Sequence, residues 1–163
     1  MERILVAYAT KHGSTREVAD AVAATLQRRG LAVDTRPADE VDSLDDYDGV
    51  VLGGALYTGR LHRDARRFLK THRSALAGLP LAVFAMGPRT TEADDVAGSR
   101  AQLDRALAAV PEVEPVSVAI FGGVLDPEQL RFPFSRMPAS DARNWDAILD
   151  WAGEVAPLLA VPV

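Results

Sequence analysis

The stretch Arg-Ile-Leu-Val-Ala-Tyr-Ala-Thr-Lys-His-Gly-Ser-Thr-Arg-Glu, residues 3–17, decides how the chain folds. Ile4 to Tyr8 is an apolar run with β-branched and aromatic members, which predicts a buried strand. Thr10 to Thr15 is a hydroxyl-rich turn with one glycine. From Glu17 the spacing becomes helical, with Val18, Val22 and Leu26 at i, i+4 and i+8. A strand, a short polar turn and a helix start make a cradle for a phosphate. The N–H groups of the first helical turn have no internal partners, and the helix dipole adds roughly half a positive charge there. The Ser and Thr hydroxyls add donors. The turn carries neither GxxxxGK[ST] nor GxGxxG, which argues against a Walker-type or a dinucleotide loop. The competing reading is a plain helix cap at Ser14 or Thr15 that binds nothing.

Outward from this stretch, strands and helices alternate. Arg28-Arg29-Gly30 closes the first helix, and Leu31 to Arg36 reads as a short edge strand. The acidic segment Ala38 to Asp48 reads as a solvated connection with one helical turn. Gly49 to Gly54 is a second buried strand, continuous rather than alternating, as in parallel sheets covered on both faces. A helix over Arg63 to Leu76, a strand over Leu79 to Met86, a helix over Val96 to Val110 and a strand over Val116 to Phe121 follow. Residues 124–140 look irregular. Asp141 to Ala156 is the last helix, with Asp141 as N-cap, Trp145, Ile148, Leu149, Ala152 and Val155 facing inward, and Pro157 ending or kinking it. The fold class is therefore α/β in a single domain over 1–163. It is a three-layer sandwich whose five-stranded parallel sheet runs in the order 2-1-3-4-5, with helices on both faces.

Composition narrows the function. The 163 residues are 48% hydrophobic and 25% charged, with no cysteine and a net charge of −5. That excludes disulfides, thiol nucleophiles and cysteine-held clusters, and it argues against nucleic-acid binding. A reducing, cytoplasmic location fits, because no leader pattern and no bilayer-length apolar run stands out. The histidines at 12, 62 and 72 lack partners at metal spacing, so no metal site is expected. No acid–base constellation marks a catalytic residue.

The strand-end loops carry the site. Thr10 to Thr15, Ala55 to Arg60, Gly87 to Thr91 and Gly122 to Asp126 are small and polar, and all should leave one rim of a parallel sheet. Glycines at 54, 59, 87, 122 and 123 would let backbone approach a flat ligand. Ordinary turns are the competing explanation.

On these residues the chain resembles the flavodoxins. Thr10-Lys11-His12-Gly13-Ser14-Thr15 is similar to their phosphate loop T-x-[ST]-G-x-[ST], with His12 where the family has a hydroxyl. The likeness is nearest to the branch of the menaquinone-dependent protoporphyrinogen dehydrogenases. It is carried by Tyr47-Asp48 before Val50-Val51-Leu52-Gly53, the Gly59-Arg60-x-His62 loop, Phe68 with Lys70 and His72, Ile120-Phe121-Gly122-Gly123, and Asp141-x-Arg143-x-Trp145 leading into Trp151-Ala152.

The resemblance implies FMN, with its phosphate on Thr10, Lys11, His12, Gly13, Ser14 and Thr15. It places the ring between Ala55, Leu56, Tyr57, Thr58 and Gly59 on one side and Gly87, Pro88, Arg89 and Thr90 on the other, beside Gly122 and Gly123. Tyr57 either stacks on the ring or packs on its own loop. Arg89 is either a solvated arginine or a cation that favours the reduced, anionic ring and raises the two-electron potential. The partner implied is a redox protein or a small-molecule electron acceptor.

Two further segments bear on partners. Arg60 to Arg73 is the one basic cluster; it reads first as a solvated face and second as a docking patch for carboxylates. Residues 124–140 stand where the dehydrogenases have a longer apolar and basic stretch. Phe132, Phe134 and Met137 read first as a plug against the domain and only second as a peripheral membrane contact.

Two functions follow from the resemblance, an electron-carrying FMN protein and an FMN-dependent dehydrogenase of the protoporphyrinogen type; the departures from it, His12 and the missing second aromatic, leave a flavin-free interaction module as a third. A phosphorelay receiver is excluded, because Thr10-Lys11 and Gly53-Gly54 stand where it needs acids.

Overall fold

In a computed structural model, residues 2–10, 13–57, 59–87, 93–122, 124–125, 140–141 and 143–160 are described. The elements run β1 (Arg3–Ala9), α1 (Ser14–Arg28), β2 (Ala32–Pro37), a 3-10 turn (Ala38–Glu40), β3 (Gly49–Tyr57), β4 (Arg60–Leu61) and α2 (Arg63–Thr71). They continue with α3 (Arg73–Leu76), β5 (Leu81–Met86), α4 (Ala93–Ala108), β6 (Ser117–Phe121), β7 (Val124–Leu125), β8 (Ser140–Asp141) and α5 (Trp145–Leu159).

The parallel strands lie in the order β2-β1-β3-β5-β6, which is the expected 2-1-3-4-5 counted over parallel strands alone. The addition is β4, which folds back antiparallel on β3. Side chains alternate across the sheet, so each strand feeds two cores. Ile4, Val6, Val51 and Phe84 meet α1 and α5, while Leu5, Ala7, Val50, Leu52 and Val83 meet α2, α3 and α4. Cover on both faces explains why β1, β3 and β5 are uninterrupted apolar runs.

Several boundaries differ from expectation, each for a local reason. The first helix begins at Ser14, three residues earlier than the apolar spacing indicated, because Gly13 caps it with a left-handed φ of 87°. The basic helix is broken at His72, which leaves helical geometry at φ −105° and ψ 13°. There the ring packs 4.7 Å from Phe68, and Nε2–H donates to the Val41 carbonyl at 3.2 Å.

The last helix begins at Trp145 with Asn144 as its cap, accepting from the Ala147 N–H at 3.1 Å. Asp141 is instead paired with Val124 in the β7–β8 ribbon. Trp145 and Leu149 are exposed, and the inner face is Ile148, Trp151, Ala152, Val155 and Leu159. Trp151 fixes that phase: its indole N–H donates to Ser117 Oγ at 3.0 Å, and its ring meets Phe84 and Phe121 edge-on. Pro157 lies inside the last turns of α5 rather than ending it. Only 124–125 and 140–141 of the segment 124–140 are described, so Phe132, Phe134 and Met137 lie outside the described residues.

Tyr47 ties the acidic connection to the sheet edge by donating to Asp34 Oδ2 at 2.9 Å. Burial first, then the bond to Asp34 and its charge, push the Tyr47 phenol above its ordinary value, with Arg36 pulling the other way. The folded state thus holds this proton more tightly than the unfolded chain does. Its contribution is whole below about pH 10 and is lost as pH rises through the folded value. Tyr47→Phe is expected to lower stability by about 1 kcal/mol near neutrality, with the gap to wild type narrowing at about pH 11. Urea midpoints of both proteins at the two pH values check this.

Candidate functional site

Strand register builds the rim. Ala9 lies beside Gly54, Ala55 beside Met86, and Met86 beside Phe121. Thr10, Gly87 and Gly122 therefore leave the sheet from one row, at the level where Leu56 passes out of the parallel pairing, with the Gly87 N–H donating to the Phe121 carbonyl at 3.0 Å.

The described ends of the β1–α1 turn are Thr10 and Gly13. Thr10 Oγ1 accepts from the Gly13 N–H at 3.0 Å, which holds the turn closed and leaves the hydroxyl proton of Thr10 to donate elsewhere. Gly13 is the N-cap, and no side chain caps the helix. A glycine cap leaves the first-turn N–H groups open where Ser, Thr, Asp or Asn would have covered one. A Cβ at Gly13 would meet nothing within 4 Å, so its φ and not crowding selects glycine there. The plain-cap reading of Ser14 and Thr15 is therefore incorrect: both are helical residues of the first turn. Thr15 is wholly buried, and its Oγ1 has no hydrogen-bond partner among the described residues. A buried hydroxyl without a partner is costly, so its presence beside open N–H groups fits a phosphate that accepts from it. Lys11 and His12 lie outside the described residues.

Arg143 joins this site from the far end of the chain. Its Nη1 lies 3.0 Å from Glu17 Oε2 in the first turns of α1, a separation of 126 positions. The arginine side chain is 11% exposed and its guanidinium sits 4.9 Å over the Trp145 ring. Neutralising Glu17 matters because its bare charge would repel an anion at the same helix end. Only the spacing Asp141-x-Arg143-x-Trp145 hinted at this residue, and nothing local tied it to the turn.

The second rim loop is a hairpin rather than an open loop. β3 continues through Tyr57, Leu56 pairs with Leu61 and Tyr57 with Arg60, and Gly59 turns the chain with φ 82°. Ala55 is thus a buried sheet residue beside Met86, and Thr58 lies outside the described residues.

The glycines expected to admit a ligand have other occupants. A Cβ at Gly54 would lie 2.8 Å from Leu61 Cδ1; one at Gly87 would lie 2.5 Å from Leu56 Cδ1 and 2.9 Å from Ser99 Oγ. Packing accounts for both, so Leu56 and Ser99 are the supports of the Gly87 loop. Gly122 is buried at the end of β6. Pro88, Arg89, Thr90 and Gly123 lie outside the described residues.

The basic cluster divides. His62 Nδ1 caps α2 by accepting from the Asp64 N–H at 3.0 Å, Arg63 lies 4.0 Å from Asp64, and Arg73 lies 3.9 Å from Glu112. Arg60, Arg66 and Lys70 instead line a cavity with Arg105 of α4. Among the described residues no helix is long and apolar enough to cross a membrane.

Comparison with known proteins agrees with this architecture. The family model described as the flavodoxin domain matches residues 5–137. The protoporphyrinogen IX dehydrogenase [quinone] of Escherichia coli is 28% identical over 86 residues, 52% of this chain and 48% of that protein. The chain is thus matched over about half the length of the curated relatives. Among solved structures, a short-chain flavodoxin associated with a bacterial microcompartment superposes with a TM-score of 0.63 at 16% identity, covering 98% of this chain and 97% of that one. A Streptococcus pneumonia flavodoxin gives 0.59 at 22% identity and 99% of both chains. A Pseudomonas aeruginosa flavodoxin gives 0.61 at 20% identity, covering 96% of this chain and 98% of its own.

Proposed function

The chain belongs to the flavodoxin domain family, and from that premise we propose that it binds FMN at the sheet rim and carries electrons between a redox partner protein or small-molecule acceptor and a donor. One observation supports this: the buried hydroxyl of Thr15, without a partner among the described residues, sits at a glycine-capped helix start on the rim where the parallel strands end.

When bound, FMN supplies one- and two-electron transfer. The protein holds and orients. Thr10 keeps the turn closed through Gly13; the first-turn N–H groups from Ser14 onward and Thr15 Oγ1 would hold the phosphate as donors. Arg143 removes the repulsion of Glu17. Lys11 and His12 belong to the phosphate loop by the family resemblance of the sequence. By the same resemblance the ring site would draw on Ala55, Leu56, Tyr57, Thr58 and Gly59 on one side and on Gly87, Pro88, Arg89 and Thr90 on the other. Gly122 and Gly123, which follow β6 in sequence, would complete it.

A second reading is an FMN-dependent dehydrogenase, favoured by the 28% identity to protoporphyrinogen IX dehydrogenase [quinone]. Reconstituted protein separates the two. A carrier passes electrons from a chemical reductant to ferricytochrome c and leaves protoporphyrinogen untouched in the presence of a menaquinone analogue. Catalytic oxidation of the porphyrinogen would establish the dehydrogenase, and failure to take up FMN at all would leave an interaction module.

A further inference from the structure

A cavity of about 160 Å³ opens between the β3–β4 hairpin, α2 and α4. Leu61, Ala106 and Val110 form its apolar wall. Arg60, Arg66, Lys70 and Arg105, with Gln102, form its polar rim. Among the described residues no carboxylate lines it, although Asp and Glu outnumber Lys and Arg by 23 to 18 in the chain. None of these four cations takes part in an ion pair among the described residues.

The placement is not explained by the helices alone. Lys70 and Arg105 stand in the last turns of α2 and α4, where the helix dipole favours cations. That reason does not extend to Arg60 in a strand or to Arg66 in the middle of α2. Arg66 is also held: its Nε–H donates to the Leu61 carbonyl at 2.9 Å. With Nε engaged, the guanidinium plane is fixed and its Nη groups remain to donate, so little side-chain entropy is left to lose on binding. Like charges around so small a cavity repel one another within a Debye length of about 10 Å at 0.1 M salt. An anion relieves that repulsion, and guanidinium forks suit carboxylate and phosphate oxygens.

We propose that this cavity is a binding site for a small amphipathic oxyanion, an apolar body carrying carboxylate or phosphate groups. The body lies on Leu61, Ala106 and Val110 and the oxygens meet Arg60, Arg66, Lys70 and Arg105. The site shares Gly59 with the proposed border of the flavin ring but none of the β1–α1 cradle, so its occupancy is read with FMN present as well as without it.

Calorimetric titration with naphthalene dicarboxylate and with naphthyl phosphate tests it, in FMN-free protein and again with FMN added. One saturable site is expected for both probes with FMN bound, and for the dicarboxylate also in FMN-free protein, where the empty cradle would take the phosphate probe as well; affinity falls as salt is raised. The tighter of the two probes identifies the acid group. Arg66→Gln, and separately the exposed pair Lys70→Gln with Arg105→Gln, should weaken binding by about tenfold or more. Thr15→Val should leave it unchanged. Inorganic phosphate, lacking the apolar body, should bind at least about tenfold more weakly. The proposal is overturned if neither probe saturates, if the folded double variant binds as wild type does, or if inorganic phosphate binds as tightly as the aromatic probes.

Discussion

Gly53→Ala is expected to destabilise the protein by about 3 kcal/mol, the upper end for overpacking a core. Gly53 is a middle residue of β3, flanked by Tyr8 on β1 and Phe84 on β5. A Cβ there would collide with Phe84 Cζ and lie 2.6 Å from both Cε atoms. The ring cannot swing aside, because Phe121 and Trp151 each stand with their centroids 5.9 Å from it. The strand cannot shift either, being paired on both edges. Urea unfolding of Gly53→Ala, Phe84→Leu and the double variant checks the cause. The double variant should be more stable than the sum of the two single losses requires, since the smaller side chain gives the Cβ room. Additive losses would mean that the ring is not what excludes the Cβ.

Thr15→Val should move stability and ligand affinity in opposite directions. The substitution keeps the shape and deletes a hydroxyl that is buried without a partner among the described residues. In the FMN-free protein that removes a desolvation penalty, so stability should rise by about 1 kcal/mol. With FMN present the same hydroxyl donates to a phosphate, and a hydrogen bond to a charged group is worth about 1.5–3 kcal/mol. Affinity for FMN should therefore fall roughly tenfold to a hundredfold. Thermal unfolding with and without FMN reads both effects on one sample set. A variant that is less stable when FMN-free and binds FMN as well as wild type does would make Thr15 a structural residue only.

Much of this architecture was legible because parallel sheets write themselves as uninterrupted apolar runs. Ile4 to Tyr8, Val50 to Leu52 and Leu81 to Met86 are buried on both faces, so neither face needed to be known. What escaped was fixed by distant partners. Gly53-Gly54 looked like a strand end, yet both lie within β3, made small by Phe84 on one face and Leu61 on the other. The hairpin beyond them was hidden for that reason. In α5 the expected inner face with Trp145 and Leu149 gave way to one with Trp151 and Leu159, held by a bond from Trp151 to Ser117 that lies 34 positions away. The cradle itself was visible as a strand, a hydroxyl-rich turn and a helix start. Its two decisive details were not: the unpartnered Thr15 hydroxyl depends on what surrounds it, and the approach of Arg143 to Glu17 depends on how α5 docks on α1.

The direct measurement of the central claim is a paired titration of FMN-free protein with FMN and with riboflavin, followed by quenching of flavin fluorescence. The phosphate cradle at Thr10–Thr15 predicts saturable one-to-one binding of FMN and binding of riboflavin weaker by at least about a hundredfold, since riboflavin offers the cradle no anion. Equal affinity for the two flavins, or no binding of FMN in excess, would contradict it.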